Sequence, residues 1–390
     1  MKRILLKAVP VAIATAFLNA PAQAEIKVGV ILSLTGPAAS LGAPAKNTID
    51  ILPRKMGDED VSYTVLDDAS DPSAAVRAAR KLVDEDKVDV IFGPSVTPTS
   101  LAVVEVAGQS GLPMISFAGS AAIASPVEGN KQWSYVLVAP ERTMAHYVFD
   151  QMKKDGDKTL AFISFNDAFG DNITREFSAA AKEAGIEVVA DERFNSKDTS
   201  VTAQALSAMS KNPDAILIGA SGTPGVTPVI ELRNAGYQGQ IYLNQGMANP
   251  DVLRVGKDVL DGVMLSVSPV LVAEQLPADH PVKERATEYV TAYEGKYGEG
   301  SRSLFGATAW DAFLITEAAA ARAKDSGAPG TPEFRKALSE QIQATNELVG
   351  AEAVFSMSPT NHNGTDLRAQ TLVRIEGGKW TYVPQDQPSQ

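Results

Sequence analysis

From residue 26 onward the chain alternates short, β-branched apolar runs with longer stretches whose apolar positions recur every three to four residues. The runs fall at 26–32, 61–66, 88–92, 113–116, 159–165, 187–193, 215–218, 241–244 and 262–267. Their nearly continuous apolar character predicts buried strands rather than half-exposed ones. The intervening stretches 71–85, 170–184, 201–211, 223–235, 280–297 and 308–323 predict helices. In the first of them Pro72 suits the opening turn, and Ala75, Ala79, Leu82 and Val83 fall on one face. Strand and helix in regular alternation predict an α/β fold with parallel central sheets. After about residue 353, Asn363-Gly364 and Gly377-Gly378 separate extended runs, which predicts antiparallel edge strands.

Three places read as crossings between two sheets: Leu137-Val138-Ala139-Pro140, Ser266-Val267-Ser268-Pro269-Val270, and the stretch around Val349-Gly350-Ala351. In the first two a β run meets a proline, where the chain can change sheet without breaking a central ladder. A chain of 390 residues also exceeds the ~250–300 at which single cores stop growing. Two Rossmann-like lobes follow, residues 25–139 with 269–349 and residues 140–268 with 350–390, joined by three hinge crossings around a cleft.

Composition then narrows the chemistry. Lys2, Arg3 and Lys7 precede a mostly apolar stretch at 8–18 and then Ala22-Gln23-Ala24, the pattern of a cleavable export signal. The apolar stretch is shorter than the ~20 residues a membrane span needs. Residues 1–24 are therefore expected to be removed near Ala24, leaving a protein of the periplasm. The absence of cysteine excludes a lipid anchor on that residue, disulfides and thiolate chemistry. Without Lys2, Arg3 and Lys7 the chain carries 32 basic against 47 acidic side chains, a net charge of −15 that repels nucleic acid.

Enzyme constellations are missing from the sequence, and no catalytic residue, metal or cofactor is predicted. His146, His280 and His362 have no metal-ligand spacing. The loop Gly219-Ala220-Ser221-Gly222-Thr223-Pro224-Gly225 follows a strand and opens a helix, yet it lacks the lysine of a phosphate loop. Ser221 stands in no nucleophile elbow. What recurs is a strand that ends in a loop of Gly, Ser and Thr feeding a helix. Phe92-Gly93-Pro94-Ser95-Val96-Thr97 and Ile115-Ser116-Phe117-Ala118-Gly119-Ser120 lie on successive strands. Such loops present backbone N–H groups, hydroxyls and a helix's positive end, a combination that suits a carboxylate; each hydroxyl could equally cap its own helix.

With these features the chain resembles the periplasmic solute-binding proteins of the leucine/isoleucine/valine type, which serve ABC importers. The resemblance runs from Glu25 to about residue 383. It rests on Ile26-Lys27-Val28-Gly29-Val30, Ser33-Leu34-Thr35-Gly36-Pro37 with Gly42, Asp67-Asp68 before Asp71-Pro72, Phe92-Gly93-Pro94-Ser95 and Pro113-Met114-Ile115-Ser116. It implies a monomeric receptor whose two lobes close on a small molecule and present it to permease subunits at the inner membrane. It also implies that Ser95, Thr97, Ala118, Gly119 and Ser120 take a ligand carboxylate, with Thr97 and Ser120 foremost. By the same resemblance Leu41 and Phe169 contact the ligand's apolar part, and Ser221 adds a contact from the second lobe. Gln245 departs from the pattern, because amino-acid binders of the family carry a glutamate there for the ligand ammonium. An aromatic carboxylate of the benzoate or phenylpropenoate kind is thus the expected ligand. A branched-chain amino acid receptor, in which Asp167 or Asp251 replaces that glutamate, is the alternative, and a ligand-sensing module of the same fold is a second.

Overall fold

The computed structural model of the protein describes residues 25–385. Residues 1–24, with the expected cleavage site, lie outside them, as do residues 386–390.

Two sheets organise the chain. The first runs in the order Lys55–Met56, Glu59–Asp67, Glu25–Leu32, Val90–Phe92, Met114–Ser116, Ser134–Val136, and is parallel except for the hairpin made by its first two strands. The second runs Lys379–Val383, Thr371–Glu376, Met264–Val267, Gln240–Leu243, Ala215–Gly219, Thr159–Phe165, Glu187–Phe194. The five of its strands that come first along the chain are parallel, and the two last strands join antiparallel at one edge, as the Gly377-Gly378 turn predicts.

The chain leaves the first sheet after Ser134–Val136 and enters the second through the helix Glu141–Asp155. After Met264–Val267 it returns through the helices Lys283–Tyr297, Leu304–Ala323 and Pro332–Gln343. Tyr297 on the first of these donates to the Asn47 carbonyl at 3.0 Å, which ties the group to the helix Ala39–Ile49 of the first lobe. The last crossing carries a short hairpin, Leu348–Val349 with Val354–Phe355. There the Asp311 carboxylate accepts from the Ala351 and Glu352 amides at 2.6 and 2.9 Å.

Three expectations need correction. The strands Glu59–Asp67 and Glu187–Phe194 are half-buried rather than buried, because the second ends its sheet and the first is covered on its outer side only by a two-residue strand. The helix expected at 308–323 begins at Leu304, where Ser303 Oγ accepts from the Gly306 amide at 3.3 Å and caps it. The helix expected at 71–85 opens on an Asp71 cap at 2.8 Å from the Ala74 amide and gives way to a π turn at Leu82–Asp86.

Candidate functional site

The carboxyl ends of the central strands of both sheets face one cleft, open to solvent at its mouth. The paired strands Val90–Phe92 and Met114–Ser116 end beside each other, so the loops that follow them share one wall. Gly93 opens the first loop with φ +91° and lies so close to the neighbouring strand that a Cβ would sit 2.0 Å from the Ile31 carbonyl oxygen. Only glycine allows that turn.

Ser95, Thr97, Ala118 and Gly119 line the cleft from these two loops. Ser95 Oγ accepts from the Ser33 amide at 3.2 Å and is thereby held to the first strand's end. Thr97 opens the helix Thr97–Gln109, but its hydroxyl caps nothing: Oγ1 is buried and has no hydrogen-bond partner. A hydroxyl in that state is costly unless a ligand satisfies it. Ser120 is the exception among the expected residues. The chain turns there into the short turn Ala121–Ile123, and the Ser120 side chain is fully buried away from the cleft wall with its Oγ unpartnered.

Leu41, Phe169, Ser221 and Gln245 also line the cleft, the last three from the second lobe. Phe117 and Phe305 from one side and Met144 and Phe165 from the other complete an apolar interior. The lobes touch at Gly222, whose φ is +65° and whose added Cβ would lie 2.8 Å from Leu41 Cδ1 and 2.9 Å from Ser40 Oγ.

Few charges reach the wall. Asp167 is its one carboxylate among the described residues, and its Oδ1 accepts from the Phe169 and Gly170 amides at 2.9 and 3.0 Å as the cap of the helix Ala168–Ala184. Burial raises its pKa, against the pull of those two amides. Asp251 does not line the cleft and pairs instead with Arg254 at 2.9 Å. Lys197, an exposed cation at the cleft, has no ion-pair partner among the described residues.

Gln245 is buried and fully directed: its Nε2 donates to the Ala139 carbonyl in the first crossing at 2.9 Å, and its Oε1 accepts from Gln370 Nε2 at 2.9 Å. Among the described residues no group of three or more His, Asp or Glu is placed to hold a metal, and no helix is long and apolar enough to cross a membrane.

Sequence reasoning missed Phe117, Phe165, Phe305, Lys197 and Gln370. The first two had a signal, since Phe165 ends its strand and Phe117 directly follows one, where parallel strands deliver ligand contacts. Phe305 comes from a helix far along the chain from the loops it faces, and nothing local marks it.

The sequence profile of the periplasmic binding protein family matches residues 25–379. A Leu/Ile/Val-binding protein of Rhizobium johnstonii is 26% identical over 257 residues, covering 63% of this chain and 68% of that protein. The crystal structure of an extracellular ligand-binding receptor from Rhodopseudomonas palustris HaA2 is 36% identical, covers 93% of this chain and 100% of that one, and superposes with a TM-score of 0.89. A solute-binding protein of an ABC transporter from R. palustris, solved with benzoate, shares the fold at 21% identity and a TM-score of 0.79, covering 92% of this chain and 95% of that one.

Proposed function

The chain belongs to the periplasmic binding protein family, whose solved members are solute receptors and not enzymes, and from that premise we propose that it captures a small aromatic carboxylate. One observation carries the reading. The cleft combines an unpartnered, buried Thr97 hydroxyl with several phenyl rings, while its only carboxylate among the described residues, Asp167, is engaged in capping a helix. A carboxylate completes the first feature and a ring fills the second. An ammonium would meet only Asp167, whose Oδ1 already accepts from two amides and whose charged form burial disfavours, and a poorly paired buried charge costs several kcal/mol.

The carboxylate lies against Ser95, Thr97, Ala118 and Gly119, and the ring lies between Leu41 and Phe169, with Ser221 at the second lobe's side. Lobe closure is the functional step, because only contacts made by both lobes favour the closed state over the open one. The hinge divides the chain into residues 25–139 with 269–349 and 140–268 with 350–390. The exported monomer, released by cleavage near Ala24, delivers its ligand to inner-membrane permease subunits of an ABC importer.

A branched-chain amino acid is the second reading, favoured by the presence of Asp167 on the wall and by the Leu/Ile/Val-binding relatives. A thermal-shift screen of ligand-stripped protein separates the two, since saturation at 100 times Kd adds about 2.7 kcal/mol. Stabilisation by benzoate or cinnamate, and none by leucine, isoleucine or valine, is the expected result. The reverse pattern rejects the aromatic reading.

A further inference from the structure

Among the described residues, Gln245 carries the only polar side chain that lines both the ligand cleft and the small cavity where the three crossings meet. The two ends of a glutamine amide are told apart by their partners, and here one partner leaves no choice. The Ala139 carbonyl can only accept, so Nε2 of Gln245 must face it, at 2.9 Å. Oε1 then faces Gln370, which must donate through its own Nε2. That leaves Gln370 Oε1 to accept from Ser266 Oγ at 2.8 Å. Ser266, Gln370 and Gln245 are all buried, so water cannot substitute for a misdirected member. A single backbone carbonyl thus fixes the direction of the whole relay.

Nε2 of Gln245 has two hydrogens, and only one of them has an acceptor among the described residues. The nitrogen lies 3.4 Å from the point where a Cβ on Gly119 would stand, against the loop that carries Ala118 and Gly119. The geometry points to Gln245 as a hydrogen-bond donor to the ligand's carboxylate from the second lobe, with the Ala139 carbonyl setting its polarity and Gln370 and Ser266 as the positioning residues that hold it. The carboxylate is then held by the Thr97 hydroxyl on one lobe and the Gln245 N–H on the other. That bridge exists only when the lobes are closed, which makes it a contact that drives closure. The same N–H turned toward the cleft opposes an ammonium, so selection against α-amino acids is built into the relay as well as into the loss of a glutamate.

This inference rests on the carboxylate reading above. Its test is calorimetric titration of benzoate, cinnamate and leucine into wild type, Gln370→Glu and Ser266→Ala, with ligand-free melting curves to verify folding. At about pH 8 the carboxylate introduced by Gln370→Glu can only accept, so it cannot donate to Gln245 Oε1, and affinity for the aromatic acid should fall about tenfold. At about pH 5.5 a buried glutamic acid regains its proton and donates, so Gln370→Glu should recover toward wild type while wild type itself stays level. A merely structural lesion would not be rescued by protons. Ser266→Ala should weaken binding by about threefold at both pH values, since it leaves the buried Gln370 Oε1 without its donor and loosens the relay. Aromatic-acid binding by wild type that is unchanged in folded Gln370→Glu at both pH values overturns the relay and leaves the ligand class standing. Leucine binding by wild type, with no response to the acids, overturns both.

Discussion

The two walls of the cleft differ in what their polar groups are doing. On the second lobe the polar atoms are mostly committed to the protein. Asp167 caps its helix, Asn244 Nδ2 donates to the Ile218 and Ala220 carbonyls at 2.9 and 2.6 Å, and Gln245 is tied to Ala139 and Gln370. On the first lobe the Thr97 hydroxyl is buried and uncommitted at a helix N-terminus. On the proposed reading this difference divides the work: the first lobe offers the anion site, both lobes supply rings, and the second adds a directed N–H that engages on closure.

The strongest way to break this division is to prevent the walls from meeting. Gly222→Val places a β-branched side chain at φ +65°, where even a Cβ would lie 2.8 Å from Leu41 Cδ1. Ligand affinity should fall by about 100-fold or more, while small-angle scattering should show an open form that no longer contracts with ligand. Contraction as in wild type would remove Gly222 from the closing contact.

Thr97→Val acts on the anion site alone. It keeps the shape and removes the buried hydroxyl, and the loss of one charge-assisted hydrogen bond of about 1.5–3 kcal/mol weakens aromatic-acid binding by about 10- to 100-fold. Because the unliganded protein no longer buries an unpartnered hydroxyl, its melting temperature should hold or rise. A fall in stability with unchanged affinity would place the hydroxyl in the scaffold and not in the site.

A third test concerns the seam between the lobes. Glu141 is buried at the start of the helix Glu141–Asp155, and burial pushes its carboxyl up to about 7, against the hydrogen bonds from its own amide, from Asn172 and from the Ala121 amide across the seam; Glu176 adds to the rise. The folded protein therefore keeps a proton that the unfolded chain has released above its ordinary value of 4.5. The contribution is fully present below about 4.5 and is lost as pH rises through about 7. Glu141→Gln should accordingly gain stability relative to wild type between about pH 5 and 8, on the order of 1–3 kcal/mol. A difference that stays flat across that range would mean that Glu141 is ionised throughout.

The smallest effect sharpens the boundary of the site. Ser120→Ala removes a hydroxyl that is buried off the cleft wall without a partner. Affinity should change by less than about twofold, with equal or higher stability, in contrast to Thr97→Val. A loss matching that of Thr97→Val would return Ser120 to the carboxylate's contacts.

These two residues also mark how far the sequence could be read. The strand runs, the glycine-led turns at their ends and the three crossings are local patterns, so both sheets and the position of the cleft follow from period and turn chemistry. Thr97 and Ser120 stand in loops of the same composition and both bury an unpartnered hydroxyl, yet Thr97 lines the cleft while Ser120, at the turn into Ala121–Ile123, does not. Composition does not contain that difference. Gln245 could be singled out as a departure from a glutamate, but its polarity is set by the Ala139 carbonyl, 106 positions away, and held by Gln370, 125 positions away, which only the assembled hinge brings together. Phe305 reaches the cleft by the same route, from a helix whose Ser303 cap was legible only after its true start was known.

The claim that this site reads a carboxylate and refuses an ammonium is tested most directly by a matched pair. 3-Phenylpropanoate and phenylalanine share ring, chain and carboxylate and differ in the α-ammonium alone. Calorimetric titration of both into ligand-stripped protein should show binding of 3-phenylpropanoate and none of phenylalanine, as an ammonium facing the Gln245 N–H, with Asp167 held as a helix cap, requires. Phenylalanine binding as tightly as 3-phenylpropanoate, or more tightly, would contradict the account and assign Asp167 the role of ammonium partner.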